Sequence, residues 1–487
     1  MAVRLSPVSQ SKFSKDAQLL FLRSALTVEN PFNSTQQVLE WIQERNRQVR
    51  VRVERISFSR MKSWAFDAER NRLAHLSGSF FSIDGINVQT NVGPVKDWDQ
   101  PIINQPEIGY LGIITKVFNG TLYFLLQAKI EPGNVNNVQL SPTLQATKSN
   151  YTRVHKGKSP NYLEYFTDRL RCEILLDQLQ SEQGARFLKK RNRNIIIRTD
   201  ADIEVLEDYC WLTLGQIKEL MGINNVVNMD TRTVISGISY GNHSDETVCF
   251  YSLLNHSSNT VGSRLLASEL NAEVAVHTTD EIIHWFTNLK TRYDLLIRSL
   301  PLNSVRDWII EDDCIRHKDG KFFRVIGVHV EIANREVTGW DQPIIEPMNE
   351  GMCAFIAKEI SGVIHFLVQA KVESGNFDIL EMAPTVQCIT SSYDNKTSLR
   401  TLPYLGDVLV LAAREESVIY DTLQSEEGGR FYREQNRNVI VLADDDFSEA
   451  VPENYIWMTL NQLKVFNKFN NYLNIQARSL IAGISFR

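Results

Sequence analysis

Gln127, Lys129 and Glu131 alternate along an apolar run, and Gln369, Lys371 and Glu373 repeat the pattern about 242 residues later. Side chains two apart on a strand share a face, so each trio projects one way while Phe124, Leu126, Ala128 and Ile130 project the other. Lysine and glutamate together supply a charged hydrogen-bond donor and a proton acceptor. The Pro132-Gly133-Asn134 that follows supplies a turn able to approach a ligand. A solvated polar face is the ordinary alternative. Neutral surface positions drift, however, and both trios are intact.

The trios belong to a longer duplication. Trp98-Asp99-Gln100-Pro101-Ile102-Ile103 returns as Trp340-Asp341-Gln342-Pro343-Ile344-Ile345, and Gln127-Ala128-Lys129-Ile130-Glu131-Pro132-Gly133-Asn134 as Gln369-Ala370-Lys371-Val372-Glu373-Ser374-Gly375-Asn376. Ser141-Pro142-Thr143-Leu144-Gln145 matches Ala383-Pro384-Thr385-Val386-Gln387. Glu182, Gly184, Arg186 and Phe187 match Glu426, Gly428, Arg430 and Phe431. A period this long marks copied domains. Shared polar residues are the binding candidates: Gln127 and Gln369, Asn134 and Asn376, Gln145 and Gln387. Trp98 and Trp340 offer either a stacking surface for a base or core packing. Arg186 and Arg430 suit a bidentate phosphate contact or a helix cap. Lys148, Tyr151, Arg153 and His155 lie in a basic stretch suited to a diphosphate. Its counterpart keeps Tyr393 but loses the histidine and most of the charge, so the copies are not equivalent. His75 and His317 also match, and read as structural.

A sheet must hold these side chains. Residues 111–118 and 122–130 flank Asn119-Gly120, which tolerates positive φ, and Ser361-Gly362 stands in the same place, predicting a hairpin in each copy. Residues 80–83 and 322–325 predict an upstream strand, and residues 162–190 carry helical periodicity ending near Gly184. Residues 13–50 predict helices with Asn33-Ser34-Thr35 as a cap, and Thr278-Thr279-Asp280 opens the second copy similarly. The expected class is α+β, a tandem duplication of mixed β-sheet with packed helices. The expected divisions are a helical lead-in (1–50), a first repeat (51–240), a polar linker (241–275) and a second repeat (276–487).

Composition narrows the functions. The 487 residues carry a formal charge of −6 with mixed signs, which argues against nucleic acid as a partner. The six cysteines form no Cys-x-x-Cys pair and read as reduced, mostly buried thiols. With no apolar signal core and no apolar run of about 20 residues, the expectation is a cytoplasmic protein without membrane contact. Glycine-rich dinucleotide, Walker, serine-elbow and His/Cys metal motifs are all missing, so neither a cofactor nor a metal is expected.

The strings Trp98 to Ile102, Gln127 to Asn134, Gln139-Leu140-Ser141-Pro142-Thr143-Leu144-Gln145-Ala146-Thr147 and Ser149-Asn150-Tyr151-Thr152-Arg153-Val154-His155, with the doubled layout over nearly the whole chain, closely resemble the NDP-hexose 2,3-dehydratase family. The resemblance implies Nudix-like halves, a homodimer, and a pocket in each half for a thymidine-diphosphate sugar. It implies elimination of water from dTDP-4-keto-6-deoxyglucose, followed by a downstream 3-ketoreductase acting on the unstable diketo product. The 4-ketone acidifies the C-3 proton; a base removes it, the C-2 hydroxyl leaves, and the enol tautomerises. Such a reaction needs a base, an acid and a donor to the enolate oxygen, without redox cofactor or metal. On this reading Glu131 is the base, Lys129 steadies the enolate, and Tyr151 or His155 helps the hydroxyl leave. Glu373, Lys371 and Tyr393 are the second-copy candidates, and the richer loop favours the first copy, although a pocket combining both copies is open. Two alternatives remain. One is a Nudix-type hydrolase, weakened because Thr422-Leu423 and Gln178-Leu179 stand where the Arg-Glu pair of a Nudix box belongs when Glu426-Glu427-Gly428-Gly429 is set on its end. The other is a non-catalytic nucleotide-sugar binder.

Overall fold

The computed structural model describes residues 16–67, 69, 71–151, 159–167, 172–241, 260–271, 273–333, 337–389 and 402–487. The first copy contributes β1 (Val51–Ile56), β2 (Trp64–Asp67), β3 (Arg72–His75), β4 (Ser82–Thr90), β5 (Asp97–Asn104), β6 (Gly109–Phe118), β7 (Thr121–Ile130), β8 (Val138–Ser141), β9 (Leu144–Ala146), β10 (Glu173–Ser181), β11 (Arg191–Arg198) and β12 (Tyr209–Thr213). The second repeats them in order: β13 (Leu295–Leu300), β14 (Trp308–Ile310), β15 (Cys314–His317), β16 (Phe323–Ile332), β17 (Gly339–Pro347), β18 (Gly351–Ile360), β19 (Val363–Lys371), β20 (Glu381–Ala383), β21 (Val386–Ile389), β22 (Val418–Ser425), β23 (Gln435–Leu442) and β24 (Tyr455–Thr459). The class is α+β with two repeated halves, as expected.

Each copy builds a seven-stranded mixed sheet. In the first the order is β10-β11-β6-β7-β12, with β8 on β7 and β9 on β6, and β11 runs parallel to β6. The β6–β7 hairpin forms because Asn119 (φ 50°) and Gly120 (φ 78°) accept the left-handed pair its turn requires, and Ser361 (φ 52°) and Gly362 (φ 79°) do so in the second copy.

The smaller sheets are shared between the copies. β1 pairs antiparallel with β16, and β13 pairs antiparallel with β4. Each five-stranded sheet therefore takes its end strand from the other half. The exchange is one of several ties. Arg232 and Arg478, both fully buried, cross in opposite directions: Arg232 donates to the Ser425 carbonyl at 2.6 Å, and Arg478 to the Thr233 hydroxyl at 3.0 Å and the Ser181 carbonyl. A single hydrophobic cluster runs through both halves, from Phe124 and Val234 to Phe366 and Leu480.

Helices pack on the sheets, and two of them, Met229–Ser236 and Ile475–Gly483, are buried along their whole length. Thr35–Gln48 starts from a capping box on Ser34, and Thr279–Arg292 from one on Thr278, where the polar triplets predicted them. Two expectations need correction. Among the described residues, the stretch 162–190 holds one short helix, Leu163–Thr167, and then β10, because Ile174, Leu175, Leu176 and Leu179 satisfy either period and pairing with β11 decides. Within the expected linker, Val261–Leu270 is a helix whose Leu265, Leu266 and Leu270 are buried in the common core. It matches helix Ala17–Ala25 of the lead-in. Ser24 bonds the Leu122 carbonyl and accepts from Leu214 N, and Ser268 does the same to Ile364 and Leu460. Cys210, Cys314 and Cys353 are buried, and the five described cysteines are free thiols. No helix among the described residues is long and apolar enough to cross a membrane.

Candidate active site

The trio strand β7 ends in a turn that docks on the opposite copy. Gly133 N donates to the Gly428 carbonyl at 2.8 Å, and Arg433 N donates to the Gly133 carbonyl at 2.7 Å. Approach is so close that a β-carbon on Gly133 would lie 1.7 Å from the Phe431 carbonyl oxygen. Asn134 closes the turn through the Asn137 carbonyl at 2.6 Å. The glycine thus makes room for the other copy's backbone, where the sequence pointed to a ligand. Gly375 repeats this against Gly184 and Phe187.

This docking makes a composite cleft of about 270 Å³. The first copy supplies Lys129, Glu131, Gln145, Lys190, Asp230 and an aromatic wall of Trp64, Phe80, Phe81 and Tyr110; the second supplies Trp340, Gln342, Glu427 and Arg430. Trp340 Nε1 donates to Gln342 Oε1 at 2.7 Å, and Gln342 Nε2 donates to the Gly429 carbonyl at 2.8 Å. The Trp-Asp-Gln-Pro string therefore fixes the indole and ties its strand to the loop bearing Glu427. Its aspartate does other work. Asp341 accepts from Lys62 N at 2.8 Å, and Asp99 from Arg306 N at 3.0 Å, so each clasps the other copy's turn. The Arg306 guanidinium holds the Asp99 carboxyl down at about 2.

Glu131 is 6% exposed and Lys129 7%, so the polar face of the strand is buried. Gln145 Nε2 donates to Glu131 Oε1 at 2.9 Å, with Lys129 Nζ 3.6 Å from the same oxygen. Glu131 Oε2 is buried and has no hydrogen-bond partner among the described residues. The amide is oriented from behind: Ser141 Oγ donates to Gln145 Oε1 at 3.1 Å, and Asn228, the cap of helix Met229–Ser236, donates to Ser141 Oγ at 2.7 Å. One carboxylate oxygen is anchored and the other has no partner among the described residues, an arrangement suited to accepting a proton. Replacing Gln145, itself on the cleft wall, with Leu is expected to lower kcat about 10-fold or more, with a smaller change in KM, since it frees the anchored oxygen while nearly keeping the side chain's size; steady-state kinetics checks this.

Further charge converges on the same space. A β-carbon at Gly429 would sit 3.0 Å from Glu427 Oε1 and 3.5 Å from Glu131 Oε1, so carboxylates from the two copies border the same small space. Asp230, 2% exposed, is pushed well above the ordinary carboxylate range by burial and then by Glu427, Glu182 and Glu131. Burial and neighbouring carboxylates push half-buried Glu427 up to about 7. Burial lowers Lys190, which donates to the Glu107 carbonyl. His75 lines the cleft as well; Ser77 N donates to its Nδ1 at 3.2 Å, placing the ring proton on Nε2, and burial lowers its pKa.

Several sequence candidates stand elsewhere. Gln127, Asn134 and Lys148 are off the wall of this cleft, and Tyr151 packs edge-on against Tyr110 at 5.5 Å. Arg153, His155 and Tyr393 lie outside the described residues. Neither arginine caps a helix: Arg430 lies over Phe81 at 4.1 Å and bonds Gln105, while Arg186 lies over Phe323 at 4.3 Å. In the second copy Gln387 donates to Glu373 Oε1 at 2.9 Å, and Asn474 to Gln387 at 2.8 Å, and Glu373 Oε2 is again buried without a partner among the described residues. Lys371, half-buried, donates to the Gln387 carbonyl at 3.4 Å, and Gln369 and Asn376 flank it as their counterparts do. Trp98 and Arg186 hold the places of Trp340 and Arg430. The surrounding charges differ, however, because Gln476, Gln183 and Glu434 stand where the first site has Asp230, Glu427 and Lys190. Among the described residues, the group with metal-ligand spacing is Glu311, Asp313 and Cys314, away from the cleft, and Arg316 already engages Glu311 at 3.0 Å.

The doubled architecture has known relatives. A family model described as NDP-hexose 2,3-dehydratase matches residues 35–238 and again 279–484. The chain belongs to the NDP-hexose 2,3-dehydratase family. A protein of Saccharopolyspora spinosa named dTDP-4-dehydro-6-deoxy-alpha-D-glucopyranose 2,3-dehydratase is 44% identical over 474 residues, 95% of this chain and 94% of its own. Proteins of the same name from Streptomyces violaceoruber (42% over 449 residues, 91% and 95%) and Amycolatopsis orientalis (39% over 467 residues, 95% and 92%) are similarly related. In this member of the 2,3-dehydratase family the features the sequence left unmarked are Asp230, Glu427, Lys190 and Tyr110, all on the cleft wall. Glu427 was visible only as part of a failed Nudix box.

Proposed function

We propose that the composite cleft dehydrates dTDP-4-keto-6-deoxyglucose across C-2 and C-3, giving a 3,4-diketo-2,6-dideoxy sugar nucleotide. The observation that carries this reading is Glu131: a buried carboxylate on the cleft wall beside a lysine, one oxygen held by Gln145 and the other without a partner among the described residues. Glu131 takes the C-3 proton, made acidic by the 4-ketone, and Lys129 stabilises the negative charge that develops on O-4. Trp340 and Tyr110 supply flat apolar surface for the thymine, and Arg430 and Lys190 supply cationic donors for the diphosphate. The same retained set around Glu373 makes the second site a weaker candidate, since Gln476 and Gln183 stand in place of Asp230 and Glu427, and Glu434 in place of Lys190.

The halves, each a mixed sheet with packed helices, suit the Nudix-like fold implied by the resemblance. We place the protein in the cytoplasm, where free thiols such as Cys210 persist. We further propose a homodimer, checked by light scattering, and a 3-ketoreductase that consumes the product.

The test is incubation with dTDP-4-keto-6-deoxyglucose, with and without Mg²⁺ and a 3-ketoreductase, with products identified by mass. Reductase-trapped loss of water is expected. Mg²⁺-dependent release of sugar phosphate identifies a hydrolase instead, and unchanged substrate identifies a binding protein. Trp340→Ala is expected to weaken dTDP binding by about 1–3 kcal/mol, the worth of one base–aromatic stack. Calorimetric titration measures it, and unchanged affinity removes the indole from the base site.

A further inference from the structure

Breaking the C-2–O bond needs a proton for the departing oxygen, and Tyr151 stands off the cleft wall. Two other carboxyls, Asp230 and Glu427, stand on that wall, and burial raises the affinity of both for a proton. We infer that Asp230 and Glu427, one from each copy, hold a proton between them and deliver it to the C-2 hydroxyl as it leaves. The inference rests on the dehydratase reading above.

Geometry supports it first. Asp230 lies in the first turn of the helix whose cap, Asn228, sits behind Gln145, so one element both steers the base and carries the acid. Glu427 reaches the same space from the loop docked on Gly133, with its Oε1 and Glu131 Oε1 flanking the void at Gly429. No hydrogen bond occupies the Asp230 carboxyl among the described residues. The pseudo-symmetric site makes the contrast: Gln476, Gln183 and Ala185 replace Asp230, Glu427 and Gly429. It keeps Glu373 and Lys371, the base and donor equivalents, but has amides where the acid stands and a methyl group where the first site has room.

The electrostatics agree. Burial keeps Asp230 protonated, and a second like charge beside Glu131 and Glu182 is costly, so one proton is retained near neutrality. The groups facing the pair are Glu131, Glu182, Lys129, Lys190 and Arg430. The three cations lower its affinity for the proton but do not offset burial and the carboxylates.

The step balances. Glu131 accepts the C-3 proton, and the C–H electron pair becomes the C-3=C-4 bond of the enolate. As C-2–O breaks, the double bond shifts to C-2=C-3, the 4-carbonyl re-forms, and the oxygen leaves with its electron pair, taking the shared proton to become water. Tautomerisation then returns the enol hydroxyl proton to the carboxylate pair, and Glu131 passes its proton to C-2. Both groups end as they began.

The experiment compares Asp230→Asn and Glu427→Gln with Glu131→Gln on two substrates, the natural one and its 2-deoxy-2-fluoro analogue, whose fluoride leaves without a proton. The acid variants are expected to lose water elimination about 100-fold or more, while retaining fluoride release, C-3 hydrogen exchange with deuterated solvent, and dTDP binding. Wild-type turnover should fall only as pH rises beyond about 7, where Glu427 titrates and the pair gives up its last proton, and this limb should shift in Glu427→Gln. Loss of fluoride release together with water elimination, or wild-type water elimination in both variants, overturns the inference. Should Asp230→Asn not fold, Glu427→Gln decides, because its side chain is only half-buried. Failure of the wild-type protein to dehydrate the natural substrate overturns the underlying reading instead.

Discussion

Glu131→Gln is expected to lower dehydration by about 10²–10⁴-fold, about 3–5 kcal/mol of barrier, while dTDP binding stays within about twofold of wild type. The amide nearly matches the carboxylate in size, and Gln145 and Lys129 remain, so the walls of the cleft survive while the proton acceptor is lost. Glu373→Gln is expected to leave turnover close to wild type, since its site has Gln476 and Gln183 where the first has Asp230 and Glu427. Reductase-trapped turnover and dTDP titration on both variants read these outcomes. Equal loss in both spreads the reaction over two sites; full turnover in both removes the carboxylate from the mechanism.

Gly133→Ala is expected to be the most damaging small change to the fold near the site. Its β-carbon would stand 1.7 Å from the Phe431 carbonyl, and backbone on both sides is held by the bonds to Gly428 and Arg433. Neither partner is the end of a flexible side chain, so the clash displaces one copy's turn from the other. A loss of about 3 kcal/mol or more is expected, above the usual cost of overpacking. The readouts are the midpoint of urea unfolding and turnover of the surviving folded fraction. Unchanged stability would mean that the two turns part at little cost. Alanine at Gly78, where nothing lies within 4 Å of the added carbon but φ is +69°, controls for backbone strain alone.

Much of the site was legible because the chain repeats. The Gln-x-Lys-x-Glu trio, the tryptophan and the second glutamine are retained in both halves, and the structure assembles Lys129, Glu131, Gln145 and Trp340 in one cleft. The hairpins followed from Asn119-Gly120 and Ser361-Gly362, whose backbone requirement is local. Asp230 escaped for a physical reason: it lies about 100 residues beyond the trio, and its partner position is Gln476, so a search for shared residues passes over it. Where the halves differ, the difference carries the information. β10 was misread because four apolar residues in six positions fit helix and strand alike, and only the neighbouring strand arbitrates. The exchange of β1 and β13 was invisible for the same reason, since either strand suits either sheet.

That exchange bears on how such a protein arises. A single unfused copy would leave its small sheet open and close it with the first strand of a neighbour, forming a swapped dimer with two identical clefts, each built from both chains. Any substitution would then appear in both clefts at once. Fusion into one polypeptide replaces a concentration-dependent association with a tethered one, and it gives each cleft its own genetic copy. Charge can be changed in one without touching the other, while the second half goes on supplying Trp340, Glu427 and a strand to the first cleft.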